Sequence, residues 1–214
     1  MWRTGALALA ALAATGCSIA VSTPTAPAFS IYNDGAHSVE GRFALYIDAS
    51  AFRDRTWVED GACAGFELVV ADGGRFAESA HTSVAAIVEA VTVVDRPMRG
   101  EALADAGFDG MIVMIVRDLE TDVGLGSPMF FTSIAAEVLL ETRLEVMTPE
   151  DRVVGRTVTA QGDAEGETEF DCSGTGATLT DALAEAMERV LELTGDVLID
   201  APELRDRDQT ARSS

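Results

Sequence analysis

Residues 132–146, TSIAAEVLLETRLEV, constrain the fold more than any other stretch of the chain. Ile134, Ala136, Val138, Leu140, Leu144 and Val146 occupy even positions, whereas Glu137, Glu141, Arg143 and Glu145 occupy odd ones. A helix repeats its apolar positions every three to four residues, so a sustained period of two commits this segment to one long strand with a single buried face. The turn-forming TPED at 148–151 then leads into a hairpin partner over residues 152–161.

The remaining segments alternate between the two periods. Val39, Gly41, Phe43, Leu45 and Ile47 alternate with Glu40, Arg42 and Asp48 as a half-buried strand, and Phe66, Leu68 and Val70 repeat the pattern before the turn Asp72-Gly73-Gly74. Phe76, Ala80, Val84, Ile87, Val88 and Val91 fall at helical spacing, which predicts an amphipathic helix over 75–90. A short strand, VTVVD, follows, then a brief helix over 99–106 stopped by Gly107. GMIVMIV at 110–116 is apolar on both faces, as in a central strand covered on two sides. Leu179, Leu183, Met187, Val190, Leu191 and Val197 mark a closing helix ended by Pro202, while GLGSP at 124–128 and GTG at 174–176 read as turns. This order predicts an α+β two-layer sandwich, a mixed sheet with a late antiparallel meander and two long helices on one face. One domain is expected over residues 38–200, followed by a polar tail, 201–214.

Composition narrows the function. The formal charge is −21, from 15 basic and 36 acidic residues, and every basic residue is arginine. Such a surface repels phosphate, so nucleic acid is not an expected partner. The absence of lysine removes Walker-type phosphate loops, Schiff-base chemistry and Ser-Lys dyads. His37 and His81 have no motif partner, so no cofactor is expected and no catalytic residue is assigned.

The N-terminus has the layout of an export signal over residues 1–16. Arg3 precedes an apolar run over 5–14, too short for the about 20 residues that span a bilayer, and small residues follow. Ala14-Thr15-Gly16-Cys17 resembles the lipobox of bacterial lipoproteins. That resemblance implies a diacylglycerol on the Cys17 sulfur, cleavage before it and acylation of the new amino terminus. With Ser18 next, it also implies sorting to the outer membrane, facing the periplasm. An ordinary secretory signal, with Cys17 incidental, is the alternative. Residues 17–37 are then the lipidated cysteine and a flexible tether, with a reach of about 25 Å.

In an oxidising compartment the even pair left over, Cys63 and Cys172, is expected to form a disulfide, with two buried free thiols as the alternative. Asp163, Glu165, Glu167, Glu169 and Asp171 recur at every second residue, so an extended backbone would present their carboxylates together to a hard divalent cation. A solvated acidic loop is the other reading.

A lipobox, a tether, a strand leading to a first helix, a three-strand meander and a terminal helix together resemble the small periplasmic lipoproteins of the YajG, LptE and ABC-transport-auxiliary (PqiC-like) kind. The resemblance implies a non-enzymatic adaptor in envelope assembly or lipid transport, with an envelope protein as partner. The acidic surface departs from what binding lipopolysaccharide would require. The expected contact is β-augmentation along the 132–146 strand or its hairpin partner at a sheet edge, or through the face beside it, with Glu137, Glu141 and Glu145 favouring an arginine- or lysine-bearing partner. A cation-binding module and a periplasmic hydrolase using His81 are the competing readings.

Overall fold

The computed structural model describes residues 18–21, 39–53, 55–58, 63–70, 73–125, 132–168, 172–201 and 204. Among the described residues eight strands, β1 (Ser18–Val21), β2 (Val39–Asp48), β3 (Arg55–Trp57), β4 (Glu67–Val70), β5 (Val88–Val93), β6 (Gly110–Leu125), β7 (Thr132–Met147) and β8 (Arg152–Thr168), are interspersed with three helices. The helices are α1 (Gly74–Ile87) between β4 and β5, α2 (Glu101–Asp105) between β5 and β6, and α3 (Ser173–Asp200) after β8.

The main sheet runs β5-β2-β6-β7-β8. β2 is parallel to both β5 and β6, and β6, β7 and β8 form an antiparallel meander. The sheet is mixed and does not close into a barrel, and the fold is α+β as the periodicities require. The even face of β7 is sealed: Val138, Leu140, Leu144 and Val146 have no exposed surface. They share one core with Phe76, Ala80, Val84 and Ile87 of α1 and with Leu179, Leu183, Met187 and Val190 of α3. A second, smaller core on the opposite face joins Leu103 of α2 to Ala44, Met111, Val113 and Met147.

Several boundaries differ from the sequence reading. The segment 66–70 does not enter the main sheet; β4 sits between β1 and β3 in a separate three-stranded sheet. The tether expected from residue 17 is ordered at its start, because Ser18–Val21 pairs in parallel with Glu67–Val70. α1 stops at Ile87 and passes directly into β5 at Val88, whose backbone is already extended. Consecutive β-branched residues there favour the strand over another helical turn.

β6 extends nine residues beyond the apolar run ending at Val116, reaching Leu125 through a bulge between Val116 and Asp118. β8 continues past residue 161 to Thr168 and runs through Gly162 and Gly166. These glycines serve packing. A Cβ at Gly162 would overlap the Ala182 carbonyl oxygen and the Ala186 amide nitrogen, and one at Gly166 would overlap the Thr178 hydroxyl. Ala160, Gly162, Ala164 and Gly166 thus form a row of small residues over which α3 lies close to the sheet. α3 itself begins at Ser173 and takes in the GTG stretch expected to be a turn.

Cys63 and Cys172 are bonded, with Cα atoms 5.7 Å apart. The bond ties the turn before β4 to the residue that caps α3, where Cys172 has a left-handed φ of 62°.

Candidate functional site

The two faces of the meander differ sharply. One carries α1 and α3; the other, beyond α2, is a plane of carboxylates. Pairing sets Asp118 beside Glu141, and sets Asp122, Glu137 and Asp163 in one row across β6, β7 and β8. Glu120 lies opposite Leu139 in the row between, and Glu165 and Glu167 extend the surface along β8. Glu137, Asp122, Asp163, Glu165 and Glu167 are exposed, and Glu141 is half-buried. Like charges directly opposite one another destabilise a sheet by up to about 1 kcal/mol per pair. The row therefore works against the stability of the sheet. A shallow groove of about 330 Å³ passes over it, lined by Asp122, Glu137, Asp163 and Glu165 with Ala135 and Ala164.

Glu145 does not belong to this surface, contrary to its grouping with Glu137 and Glu141. It is only 7% exposed. Arg143 donates to its Oε1 from Nε at 2.7 Å and from Nη2, while Arg152 and Arg99 approach at 3.6 and 3.8 Å. Three guanidiniums already surround the carboxylate, so an incoming basic side chain finds it occupied. They line a cavity of about 560 Å³ with the 148–151 turn. This cluster was not apparent from the sequence, because only the register reveals that Glu145 lies opposite buried Val113.

Of the two strands expected to offer an edge, only β8 does. β7 lies between β6 and β8 and is paired on both sides, so its backbone is closed to β-augmentation. The physical reason is the added length of β6, which covers β7 as far as Ile134. β8 is the free edge of the meander, and α3 guards it. The Asp163 N–H donates to Glu185 Oε2 at 2.8 Å, and Arg189 Nη1 donates to the Gln161 carbonyl at 2.6 Å. Glu185 and Arg189 are themselves ion-paired at 2.6 Å.

The acidic repeat is a strand, not a loop, as far as it is described. Asp163, Glu165 and Glu167 lie on β8, while Glu169 and Asp171 fall outside the described residues. Among the described residues no group of three or more His, Cys, Asp or Glu is disposed to hold a metal ion. His81 is half-buried on α1; Cys17 and His37 fall outside the described residues. Among the described residues no helix is long and apolar enough to cross a membrane. At the end of β2, Asp48 is held below the ordinary carboxylate range by hydrogen bonds from the Ser50 side chain and backbone, opposed by slight burial.

No family model matches the chain, and no curated protein matches it. Solved structures with a similar outline include a Xanthomonas campestris protein of the DUF330 family, 15% identical over 90% of this chain and 99% of that one, with a TM-score of 0.47. A hypothetical protein from Chlamydia trachomatis is 7% identical over 72% of this chain and 96% of its own, with a TM-score of 0.38. A minor lipoprotein from Acinetobacter baumannii is 7% identical over 74% of this chain and 91% of its own, with a TM-score of 0.37. Likenesses this partial assign neither family nor activity.

Proposed function

We propose that this chain is a lipid-anchored lipoprotein of the bacterial outer membrane and acts as a non-enzymatic adaptor in envelope assembly or lipid transport. Its partner is an envelope protein that presents arginine or lysine side chains. The observation that carries the reading is the exposed carboxylate row Asp122, Glu137 and Asp163 on the open face of the meander. Its like charges destabilise the isolated domain, and a cationic partner would relieve that cost. The Ala14-Thr15-Gly16-Cys17 stretch and the Cys63–Cys172 bond support an exported, anchored setting. Contact through the sheet face replaces the strand-addition mode, since β7 is interior and β8 is guarded at Gln161 and Asp163.

Two experiments test this. Cys17→Ser removes the acylated sulfur, and the variant is expected to lose the detergent partitioning of the wild type; full retention in the membrane fraction defeats the lipoprotein reading. A photo-crosslinker at Glu137 in intact cells is expected to capture an envelope protein, and Asp122→Arg with Asp163→Arg is expected to abolish that capture. Turnover of a small substrate, lost on His81→Ala, with no protein captured, makes the chain an enzyme instead.

A further inference from the structure

The ordered start of the tether gives the domain a fixed end. β1 begins at Ser18, the residue after Cys17, and pairs Ser18 with Glu67 of β4; Glu67 in turn pairs with Trp57, the last residue of β3. The start of β1, the start of β4 and the end of β3 therefore meet at one end of the small sheet. Two strand spacings separate the backbones of Ser18 and Trp57, about 10 Å.

Trp57 is 53% exposed at this end, an unusual state for the largest apolar side chain. Leu68 and Val70 of the neighbouring strand are fully buried on the opposite side of the small sheet, so the indole stands on its outer face. Arg55, two residues earlier on the same face, is held by Glu67 at 3.0 Å. An indole beside a guanidinium suits the boundary of a bilayer, where an apolar ring with one N–H sits at headgroup depth.

We infer that Trp57 is a second membrane contact, seating its indole in the lipid interface next to the acylated residue. This rests on the proposed lipidation of Cys17. The occupant of the surface is the lipid itself, because strand pairing fixes the Trp57 backbone two strands from Ser18, the residue that follows the anchor in sequence. A chain anchored at the residue before Ser18 brings Trp57 to the bilayer whenever β1 is paired. The domain then stands on the membrane in one orientation and does not swing on a long tether.

Signal cleavage removes Trp2, which leaves Trp57 as the sole tryptophan of the mature chain, so its fluorescence reports this site alone. The full-length precursor is expressed in a Gram-negative host. The processed protein is purified, checked by mass spectrometry for acylation, and reconstituted into phosphatidylethanolamine/phosphatidylglycerol vesicles with or without lipids brominated near the top of the acyl chain. The expected result is acylated, vesicle-bound protein whose emission shifts to the blue and loses most of its intensity with the brominated lipid. Acylated, vesicle-bound protein whose emission ignores the bromines overturns the inference and leaves the lipoprotein reading standing. Unacylated protein that does not float with the vesicles overturns both.

Discussion

The guanidinium of Arg189 donates a 2.6 Å hydrogen bond to the carbonyl oxygen of Gln161, so α3 reaches past the face it covers and occupies the backbone of the outermost strand. Glu185 takes the neighbouring Asp163 N–H in the same way. Unpaired edge groups are templates for strand addition, and native sheets blunt them with charged side chains. Replacing both Glu185 and Arg189 with alanine is expected to cost the monomer about 1 kcal/mol or less, as for an exposed pair. It is also expected to produce self-association at concentrations where the wild type stays unassociated. Sedimentation velocity measures this, and an unchanged distribution means the pair does not guard the edge.

Gly162→Ala inserts a methyl where the backbone of α3 already lies. The strand and the helix must separate locally, at a cost of about 1–3 kcal/mol or more, visible as a lower urea midpoint. Gly124, with no atom near its missing Cβ, is the control: Gly124→Ala should leave the midpoint nearly unchanged. Equal effects at the two positions would mean that α3 does not pack over the small-residue row.

Thr142 interrupts the apolar face of β7 with a hydroxyl that is fully buried and, among the described residues, has no hydrogen-bond partner. Desolvating such a group without compensation costs about 1–3 kcal/mol. Thr142→Val keeps the shape and removes the orphaned oxygen, so it is expected to raise the unfolding free energy by about 1 kcal/mol. Destabilisation would show that the hydroxyl is bonded after all.

Removing the bond between Cys63 and Cys172 is expected to cost about 2–5 kcal/mol, the range for a native disulfide closing a long loop. The double serine variant tests this by denaturant unfolding. Thiol titration of the denatured, unreduced protein is expected to find neither cysteine free.

Where packing and local preference agree, the sequence could be read directly. The alternation over 132–146 gave β7 almost to its final residue, Met147, and the cysteine pairing followed from compartment and parity. The misreadings occur where tertiary contact overrides propensity. Gly162 and Gly166 lie beyond the expected end of the hairpin partner at residue 161, yet the strand continues through them because α3 needs their missing side chains. Gly174 and Gly176 look like a turn, yet they open the long helix, where Thr178 and Thr180 hydroxyls donate to their carbonyls. The carboxylates of the candidate surface were legible one strand at a time as Glu137 and Asp163. Asp122 joined them only through register, since a row across three strands has no signature within any one of them. Glu145 shows the converse, a charged residue in an exposed phase that register places against Val113 and ringed by arginine.

The covalent link between Cys63 and Cys172 also sets how the domain carries mechanical load. Tension between Ser18 and the far end of α3 passes along the chain to Cys63, crosses the sulfur bridge to Cys172 and continues into the helix. Residues 64–171, which hold β4 to β8 with α1 and α2, lie outside that path. A pull from either end can strip β1, β2 and β3 or unwind α3, but it cannot stretch the antiparallel meander that bears the carboxylate row.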